Sequence, residues 1–373
     1  MLLPSSDLPP GFKWPMKRYL FPVLLLVLAG LGLAVAARPT RPRLLARVEG
    51  KVLTPPTGQD GWIAWLEENG GEARLVVTRK RESHPRVALA GVGLSGLAVV
   101  ENFAFLTTTG EAETGGPRAR LLRVDLRDGK SETLALLAKP ADQLTCGGGW
   151  LCWRETREAA LPGVPFVAAG APLTVIRASP EDGKRSHIVA TVLGQGSDSG
   201  NQVELLGIAA GYAYWLQRVQ GGLVGSTLIQ RAELPDGSPE AVTREPGRRT
   251  AALTEGALLW TAPSLEAAEP NHFSAVKRRA LEGSDIQVIA DWLTSDAVVL
   301  TSRTDAYVQE RNRLCRLGGQ RGQQHVQYKG PPRVLTARLL DDEEYLVMRS
   351  GGSLLVAKRP LTLRARVRNL LWR

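Results

Sequence analysis

The hydrophobic and polar positions of this chain repeat as short apolar runs, and in most of them a glycine stands four residues before a tryptophan. The runs read GWIAW, GWLCW, GYAYW and GALLW, with a degenerate copy, ENFAF. They begin at residues 61, 101, 149, 211 and 256, so the spacings are 40, 48, 62 and 45 residues. A repeat of that length, made of strands and turns, predicts an all-β fold of radially arranged four-stranded sheets, a β-propeller.

Short turns divide each repeat into strands. Pairs of an acidic residue and glycine, or of two glycines, recur between the predicted third and fourth strands: Asp128-Gly129, Asp182-Gly183, Asp236-Gly237, Glu282-Gly283 and Gly318-Gly319. Asp-Gly supplies the positive φ that a tight hairpin requires. The 39 glycines and 24 prolines of the 373 residues agree with many short strands and turns rather than with a helical fold.

Two later units lack the tryptophan. Their second strands are predicted in DAYVQER at 305–311 and EEYLVMR at 343–349. They bring the predicted number of blades to seven, with six or eight left open. A strand at 44–53 or the alternating segment 361–367 is expected to complete the last blade. For the basic tail 359–373, a surface helix is the alternative to that second strand.

Five aromatic residues are predicted to occupy one equivalent position in their blades: Trp65, Phe105, Trp153, Trp215 and Trp260. Successive side chains of a strand point to opposite faces, so these rings are expected to fill the space between neighbouring blades. An aromatic ligand-binding box is the alternative. Recurrence in several blades favours packing, because a binding site would need the rings in one place only.

The runs GYAYWLQ at 211–217 and GALLWTA at 256–262 resemble the blades of YWTD-type, TolB-like and related bacterial propellers. The resemblance covers about residues 48–360 and is confined to single blades. The Tyr-Trp-Thr-Asp core is incomplete, since Tyr214-Trp215 is followed by Leu216-Gln217. The resemblance implies a propeller of six to eight blades and, because these families are mostly binding modules, a binding role; fold alone does not establish function.

The N-terminal region predicts a membrane anchor. Residues 19–37 form an apolar run of 19 residues without a charge, which is long enough to cross a bilayer as a helix. Residues 1–18 are then a cytoplasmic tail, 38–47 a Pro/Arg linker and 48–373 the propeller domain, because the basic residues before the run favour a cytoplasmic N-terminus. A cleaved signal peptide ending near Ala34-Val35-Ala36 is the alternative. Both interpretations place residues 38–373 outside the cytoplasm, in the periplasm or the extracellular space.

The net charge of +10 raises the possibility of nucleic-acid binding, and its distribution excludes it. Residues 1–47 carry seven Lys and Arg and one acid, so they hold +6 of the total. The other 326 residues carry 40 basic and 36 acidic side chains. A domain so close to balance lacks the clustered basic surface that phosphate binding needs. The predicted partners are the membrane and a protein or small ligand.

Residues for redox, metal or cofactor chemistry are few. Cys146 and Cys152 flank a glycine turn, so they are predicted either to form a disulfide across the hairpin or to remain buried thiols. The spacing of the three cysteines and four histidines matches no common metal motif. The GxGxxG pattern at 91–96 precedes a predicted strand instead of the helix of a dinucleotide site. No cofactor is predicted.

The long predicted connections lie between second and third strands and between blades, so they open on one face of the ring. Long loops on a rigid scaffold often carry function, and the apolar loop 161–172 is the most distinctive. The candidate binding residues on this face are Pro162, Pro165, Phe166 and His272. The function predicted is a membrane-anchored, extracytoplasmic binding scaffold or sensor. An extracytoplasmic enzyme, such as a glycan-acting hydrolase or lyase, is the alternative.

Overall fold

The computed structural model of the chain describes residues 43–48, 50–79, 82, 84–110, 118–158, 172–193, 203–219, 225–264, 273–301, 306–310, 313–317, 324–329, 334–339, 345–350 and 353–358. Every regular element in these ranges is a β-strand, which confirms the all-β prediction. The described strands form seven four-stranded antiparallel sheets. Six of these sheets take their four strands consecutively from the chain.

The N-terminal strand β1 (Arg43–Arg47) belongs to the last sheet. Sheet 1 contains β2 (Lys51–Thr57), β3 (Trp62–Asn69), β4 (Glu72–Arg79) and β5 (Arg86–Gly91). Sheet 2 contains β6 (Ser95–Val100), β7 (Phe103–Gly110), β8 (Arg118–Asp125) and β9 (Ser131–Leu137). Sheet 3 contains β10 (Gln143–Gly147), β11 (Trp150–Glu158), β12 (Pro172–Pro180) and β13 (His187–Leu193).

Sheet 4 contains β14 (Val203–Ala209), β15 (Tyr212–Val219), β16 (Ser226–Glu233) and β17 (Glu240–Pro246). Sheet 5 contains β18 (Ala251–Leu253), β19 (Ala257–Pro263), β20 (Phe273–Ala280) and β21 (Ile286–Thr294). Sheet 6 contains β22 (Val298–Thr301), β23 (Ala306–Glu310), β24 (Arg313–Leu317) and β25 (Gln324–Lys329). Sheet 7 contains β26 (Val334–Leu339), β27 (Tyr345–Ser350) and β28 (Ser353–Lys358), with β1 as its outer strand.

The first strands of consecutive sheets are neighbours in space. Strand β2 lies beside β6, and the series continues through β10, β14, β18 and β22 to β26, which lies beside β2 again. Strand β1 pairs with β28, with Arg43 opposite Val356 and Arg47 opposite Ser353. Sheet 7 is therefore completed by the N-terminal segment.

Two sequence boundaries need correction. The strand predicted over 44–53 does complete the last sheet, but only through residues 43–47, because Lys51–Thr57 is a separate strand that begins sheet 1. The predicted Pro/Arg linker at 38–47 therefore contains a strand in its last five residues. The rival closing segment, 361–367, lies outside the described residues. So does the predicted anchor at 19–37, and no helix formed by described residues is long and apolar enough to cross a membrane.

The tryptophans pack between neighbouring sheets. Trp215 of sheet 4 is fully buried against Cys152, Ile176 and Ala178 of sheet 3. Trp153 packs in the same way against sheet 2, and Trp260 against sheet 4. Burial of a large ring removes much apolar surface from water, which is the main favourable term in folding.

Each of four buried indoles also has a hydrogen-bond acceptor for its N–H group. The acceptors for Trp65, Trp153, Trp215 and Trp260 are the side chains of Glu67, Glu155, Gln230 and Glu245, at 2.9, 2.9, 3.0 and 2.9 Å. A buried polar group without a partner is costly, so these acceptors allow wide rings to be used between the sheets.

Phe105 does not occupy the tryptophan position. In sheet 2 Val100 pairs with Phe103, so the two-residue turn is Glu101-Asn102. In sheet 3 Gly147 pairs with Trp150 around Gly148-Gly149, which makes Asn102 the counterpart of Gly149. Leu106 is then the counterpart of Trp153 and packs against sheet 1, whereas Phe105 packs against sheet 3. The sequence prediction aligned this unit one residue out of register. Such a shift along a strand moves every side chain to the opposite face of the sheet.

Cys146 and Cys152 are free thiols, so the disulfide interpretation was wrong. Cys146 pairs across the hairpin with Leu151, and Cys152 pairs with Thr145. This offset of one residue directs the two sulfur atoms to opposite faces of sheet 3, where Cys152 packs against sheet 4 and Cys146 packs against sheet 2. A disulfide needs both Cβ atoms on one face and close together.

We expect both thiols to resist alkylation in the folded chain. Burial raises the pKa of each to about 12, and for Cys146 the carboxylate of Glu181 adds to the effect. At pH 8 such a thiol is ionised in about one molecule in ten thousand, and the thiolate is the reactive form. The rate of iodoacetamide labelling of the folded chain should therefore be low and should rise about tenfold per pH unit up to pH 11. In the chain unfolded by urea, the rate should level off near pH 9. If the intact protein, measured without reductant, had a mass 2 Da below that of the fully reduced chain, a disulfide would be present and this expectation would be contradicted.

Candidate functional site

A cavity of about 580 Å³ lies among the first strands of the sheets. Sheets 1, 3, 4, 5 and 6 all contribute to its wall. The lining residues are Gly58 and Gln59, Thr145 to Gly148 with Trp150, Leu206 to Gly211, Leu253 to Glu255, and Thr301. Apart from Trp150, which begins the second strand β11, they belong to the first strands or to the turns between first and second strands, called first turns below. The cavity therefore lies at the edge of the sheets where the first turns lie.

The first turns are tight because their backbone adopts positive φ. The pairs Asp60-Gly61, Gly148-Gly149 and Ala210-Gly211 have φ values of 51° and 88°, 58° and 80°, and 50° and 78°. Two consecutive residues with positive φ define the hairpin turn that matches strand twist. An added Cβ at Gly148 or Gly149 would meet no atom within 4 Å, so φ rather than space requires glycine there.

Gly147 has a different reason to be glycine. A Cβ at this position would lie 2.9 Å from the carbonyl oxygen of Ile208. Gly147 ends β10 and Ile208 lies in β14, so the first strands of sheets 3 and 4 approach each other backbone to backbone. Five of the described lining residues are glycines, so peptide backbone forms part of the cavity wall and offers hydrogen-bonding groups.

Threonine hydroxyls hold the wall on the side of sheets 5 and 6. The Thr301 hydroxyl donates to the carbonyl oxygen of Leu253 at 2.5 Å and joins β22 to β18. The Thr254 hydroxyl oxygen accepts hydrogen bonds from the N–H groups of Gly256 and Ala257 and closes the first turn of sheet 5. These contacts fix the position of Glu255, an exposed residue in the same turn.

The cavity wall carries little charge. Glu255 is the only Asp, Glu, Lys, Arg or His among its described lining residues. Apart from Glu255 the wall contains threonine, glutamine, cysteine, tryptophan, small residues and the aliphatic side chains of Leu206, Ile208 and Leu253. A concave site that combines apolar surface with a few polar groups is typical of ligand binding. Within the described residues, no group of three or more His, Cys, Asp or Glu side chains is placed to hold a metal ion.

The binding residues predicted on the long connections, Pro162, Pro165, Phe166 and His272, lie outside the described residues. The described cavity adjoins the opposite edge of the sheets, at the first turns. Sequence analysis missed its lining, because Thr145, Thr254 and Thr301 are ordinary strand or turn residues by type. The sequence feature that could have indicated this site is the acidic residue Glu255, which directly precedes the repeat glycine Gly256.

No protein-family model and no curated protein matches the chain. Solved structures do match. An oligogalacturonate lyase in complex with manganese has a TM-score of 0.58 at 11% identity, over 86% of this chain and 96% of that one. The β-propeller domain of the Trilobed protease from Pyrococcus furiosus has a TM-score of 0.54 at 11% identity, over 85% of this chain and 97% of that one.

An acylaminoacyl peptidase from Pyrococcus horikoshii matches with a TM-score of 0.55 at 10% identity, over 86% of this chain and 53% of the peptidase. At such identities the likeness shows a shared fold and nothing more. The fold is that of β-propeller proteins, in agreement with the blade-level resemblance of the sequence. The Pyrococcus furiosus domain has an open velcro topology, whereas here β1 pairs with β28.

Proposed function

We propose that the chain is a membrane-anchored, extracytoplasmic β-propeller of seven blades that binds a ligand in the cavity among its first strands. It acts as a binding or sensor module without chemistry of its own. The cavity carries this proposal, since five sheets contribute to it and its wall combines apolar side chains with threonine, glutamine and glycine residues.

The seven-bladed ring is supported by the order of the strands. Each first strand lies beside the next one, and β26 lies beside β2, so the series returns to its start. The pairing of β1 with β28 ties the N-terminal end of the domain to its last sheet. Such a closure makes the two ends of the domain interdependent.

The anchor and the location are supported by the sequence alone. The uncharged run at 19–37 and the preceding Lys13, Lys17 and Arg18 favour a single span with the propeller outside the cytoplasm. A tethered propeller of this kind is suited to sensing a ligand in the periplasm or the extracellular space. A protein partner on the long-loop face remains part of the proposal.

An extracytoplasmic enzyme acting on glycans is the second candidate. An oligogalacturonate lyase shares the fold over 86% of this chain and 96% of that one, so the same fold can carry such an activity. Glycoside hydrolysis usually needs two carboxyl groups on either side of the scissile bond. The described cavity lining holds one, Glu255, so the cavity favours binding over hydrolysis.

A cavity-blocking variant tests the proposal. Gln59 lines the cavity, so Gln59→Trp should fill part of it, whereas Leu136→Trp adds the same ring at a side chain that is 61% exposed on β9. The full-length protein in detergent is screened by thermal shift against defined amino acids, peptides and oligosaccharides. A ligand at 100 times its Kd stabilises the folded state by about 2.7 kcal/mol, which is a shift of a few degrees.

We expect at least one compound to raise the Tm of the wild type and of Leu136→Trp but not that of Gln59→Trp. Recovery of that compound unchanged after long incubation supports a binding module, and its conversion supports the enzyme. If every stabilising compound acts equally on Gln59→Trp, the cavity is not the site.

A further inference from the structure

The one charged side chain in the described cavity wall is negative, in a chain that is basic overall. The chain has 47 Lys and Arg against 37 Asp and Glu, yet Glu255 is the only charged side chain among the described lining residues. The described first turns continue this pattern, since they carry Asp60, Glu101 and Glu255 and no Lys or Arg. In sequence, the corresponding connections of sheets 6 and 7 contain Arg303 and Asp305, and the run Asp341 to Glu344.

The negative potential reaches the cavity wall. Burial and, after it, the carboxylate of Glu181 raise the pKa of Cys146, which lines the cavity. Burial and, after it, Glu101 raise the pKa of Glu181, and Arg123 acts in the opposite direction. Glu181 is held in place by its N–H group, which donates to the carbonyl oxygen of Gly149 in the first turn of sheet 3. Charges of one sign around a concave surface with low-dielectric walls concentrate their field there.

The wall also offers apolar surface. Leu206, Ile208 and Ala209 of β14 line the cavity together with Glu255 of the neighbouring sheet. A lysine or arginine side chain has the matching form, since its aliphatic stem packs on apolar surface while its charged end stays near water and anions. A free carboxylate or an acidic glycan would meet repulsion at the same place.

We propose that the ligand of the cavity is a basic side chain, lysine or arginine, presented by an extended polypeptide, with Glu255 as its counter-ion. This inference rests on the proposed function, because it names the class of ligand for the same cavity. The aliphatic stem lies against β14, and the cationic end lies at Glu255. The partner is thus a protein with a basic segment, and an acidic glycan is excluded as the ligand.

The test uses the full-length protein in detergent and two labelled probes, acetyl-tetralysine amide and acetyl-tetraglutamate amide. Binding is followed by fluorescence anisotropy for the wild type, Glu255→Gln, Glu282→Gln and Gln59→Trp. Glu282→Gln is the matched control, since Glu282 is an exposed glutamate in the turn between β20 and β21 and does not line the cavity. Thermal unfolding of each variant verifies that it is folded.

We expect the wild type to bind tetralysine and not tetraglutamate, with affinity that falls as salt rises. Glu255→Gln should weaken tetralysine binding about three- to fivefold, the range of one exposed ion pair, and Glu282→Gln should leave it unchanged. Gln59→Trp should abolish it.

Three results would overturn the inference: equal binding by Glu255→Gln and the wild type, equal loss in both glutamine variants, or preference for tetraglutamate. If the thermal-shift screen nevertheless finds a compound that Gln59→Trp excludes, the cavity remains a binding site for another class of ligand. If Gln59→Trp excludes no compound in either experiment, the proposed function itself fails.

Discussion

Replacing Trp215 by alanine should lower the free energy of unfolding by about 3–5 kcal/mol, the usual cost of removing a large ring from a packed core. The side chain has no solvent exposure and fills the space between sheets 3 and 4. The change leaves a cavity there, and the side chain of Gln230 loses the indole N–H that donates to it. A fall in Tm of about 5–10 °C should result, and differential scanning calorimetry of the full-length protein measures it.

Trp292→Ala is the matched control. Trp292 is 52% exposed on β21, where it packs edge to face against Phe273 with ring centroids 5.3 Å apart. The same truncation should cost less than about 1 kcal/mol at this surface site. Equal effects of the two substitutions would show that burial between sheets is not what makes Trp215 stabilising.

The second strands were predictable from the sequence because both of their faces are buried. In β19, Leu258 and Trp260 face sheet 4 while Ala257 and Leu259 face sheet 6, so the run is apolar without interruption. A short apolar run behind a glycine turn is a strong indication of such a strand. The glycines were informative for a physical reason, since the positive φ of the first turns strongly favours glycine.

The position of Phe105 was not predictable in the same way. Glu101 has a φ of 51° in the first turn of sheet 2, a conformation that glutamate rarely adopts. Aligning Glu101 with the repeat glycines was the natural choice from sequence, and the backbone instead aligns Asn102 with them. The offset of Cys146 and Cys152 has the same origin, because only the pairing of β10 with β11 decides which faces they share.

The cavity could not be located from residue types. Most of its lining is glycine, alanine, threonine and aliphatic residues such as Thr145, Ile208 and Thr301, which are common in any strand or turn. Loop length pointed to the other edge of the sheets instead. The acids of the first turns were visible in sequence, but their common location depends on the side-by-side arrangement of the first strands.

Glu245→Ala should cost at least about 3 kcal/mol, because it removes the anion of a buried ion pair. Glu245 of β17 is 6% exposed, and its Oε1 accepts hydrogen bonds from Trp260 Nε1 at 2.9 Å and from Lys277 Nζ at 2.8 Å. Both donors belong to sheet 5, so this carboxylate joins sheet 4 to sheet 5. It also opposes the lowering of the Arg249 pKa, whose main cause is burial of that guanidinium.

The neighbouring residue Glu240 provides the control on the same strand. Its ion pair with Arg231 is exposed, with 53% of the Glu240 side chain accessible. Exposed pairs contribute between about 0 and 1 kcal/mol, so Glu240→Ala should change Tm little, and added salt should remove the remaining effect. The effect of Glu245→Ala should persist in salt, because a buried pair is screened much less.

Further variants separate charge from hydrogen bonding at Glu245. Glu245→Gln keeps an acceptor for Trp260 but leaves the Lys277 ammonium and the Arg249 guanidinium without their nearby anion. If charge dominates, Glu245→Gln should be nearly as destabilising as Glu245→Ala, and adding Lys277→Met to Glu245→Met should recover much of the loss. Destabilisation by Glu245→Ala but not by Glu245→Gln would assign the effect to the Trp260 hydrogen bond. Retention of full stability by Glu245→Ala would contradict any role of this carboxylate in joining the two sheets.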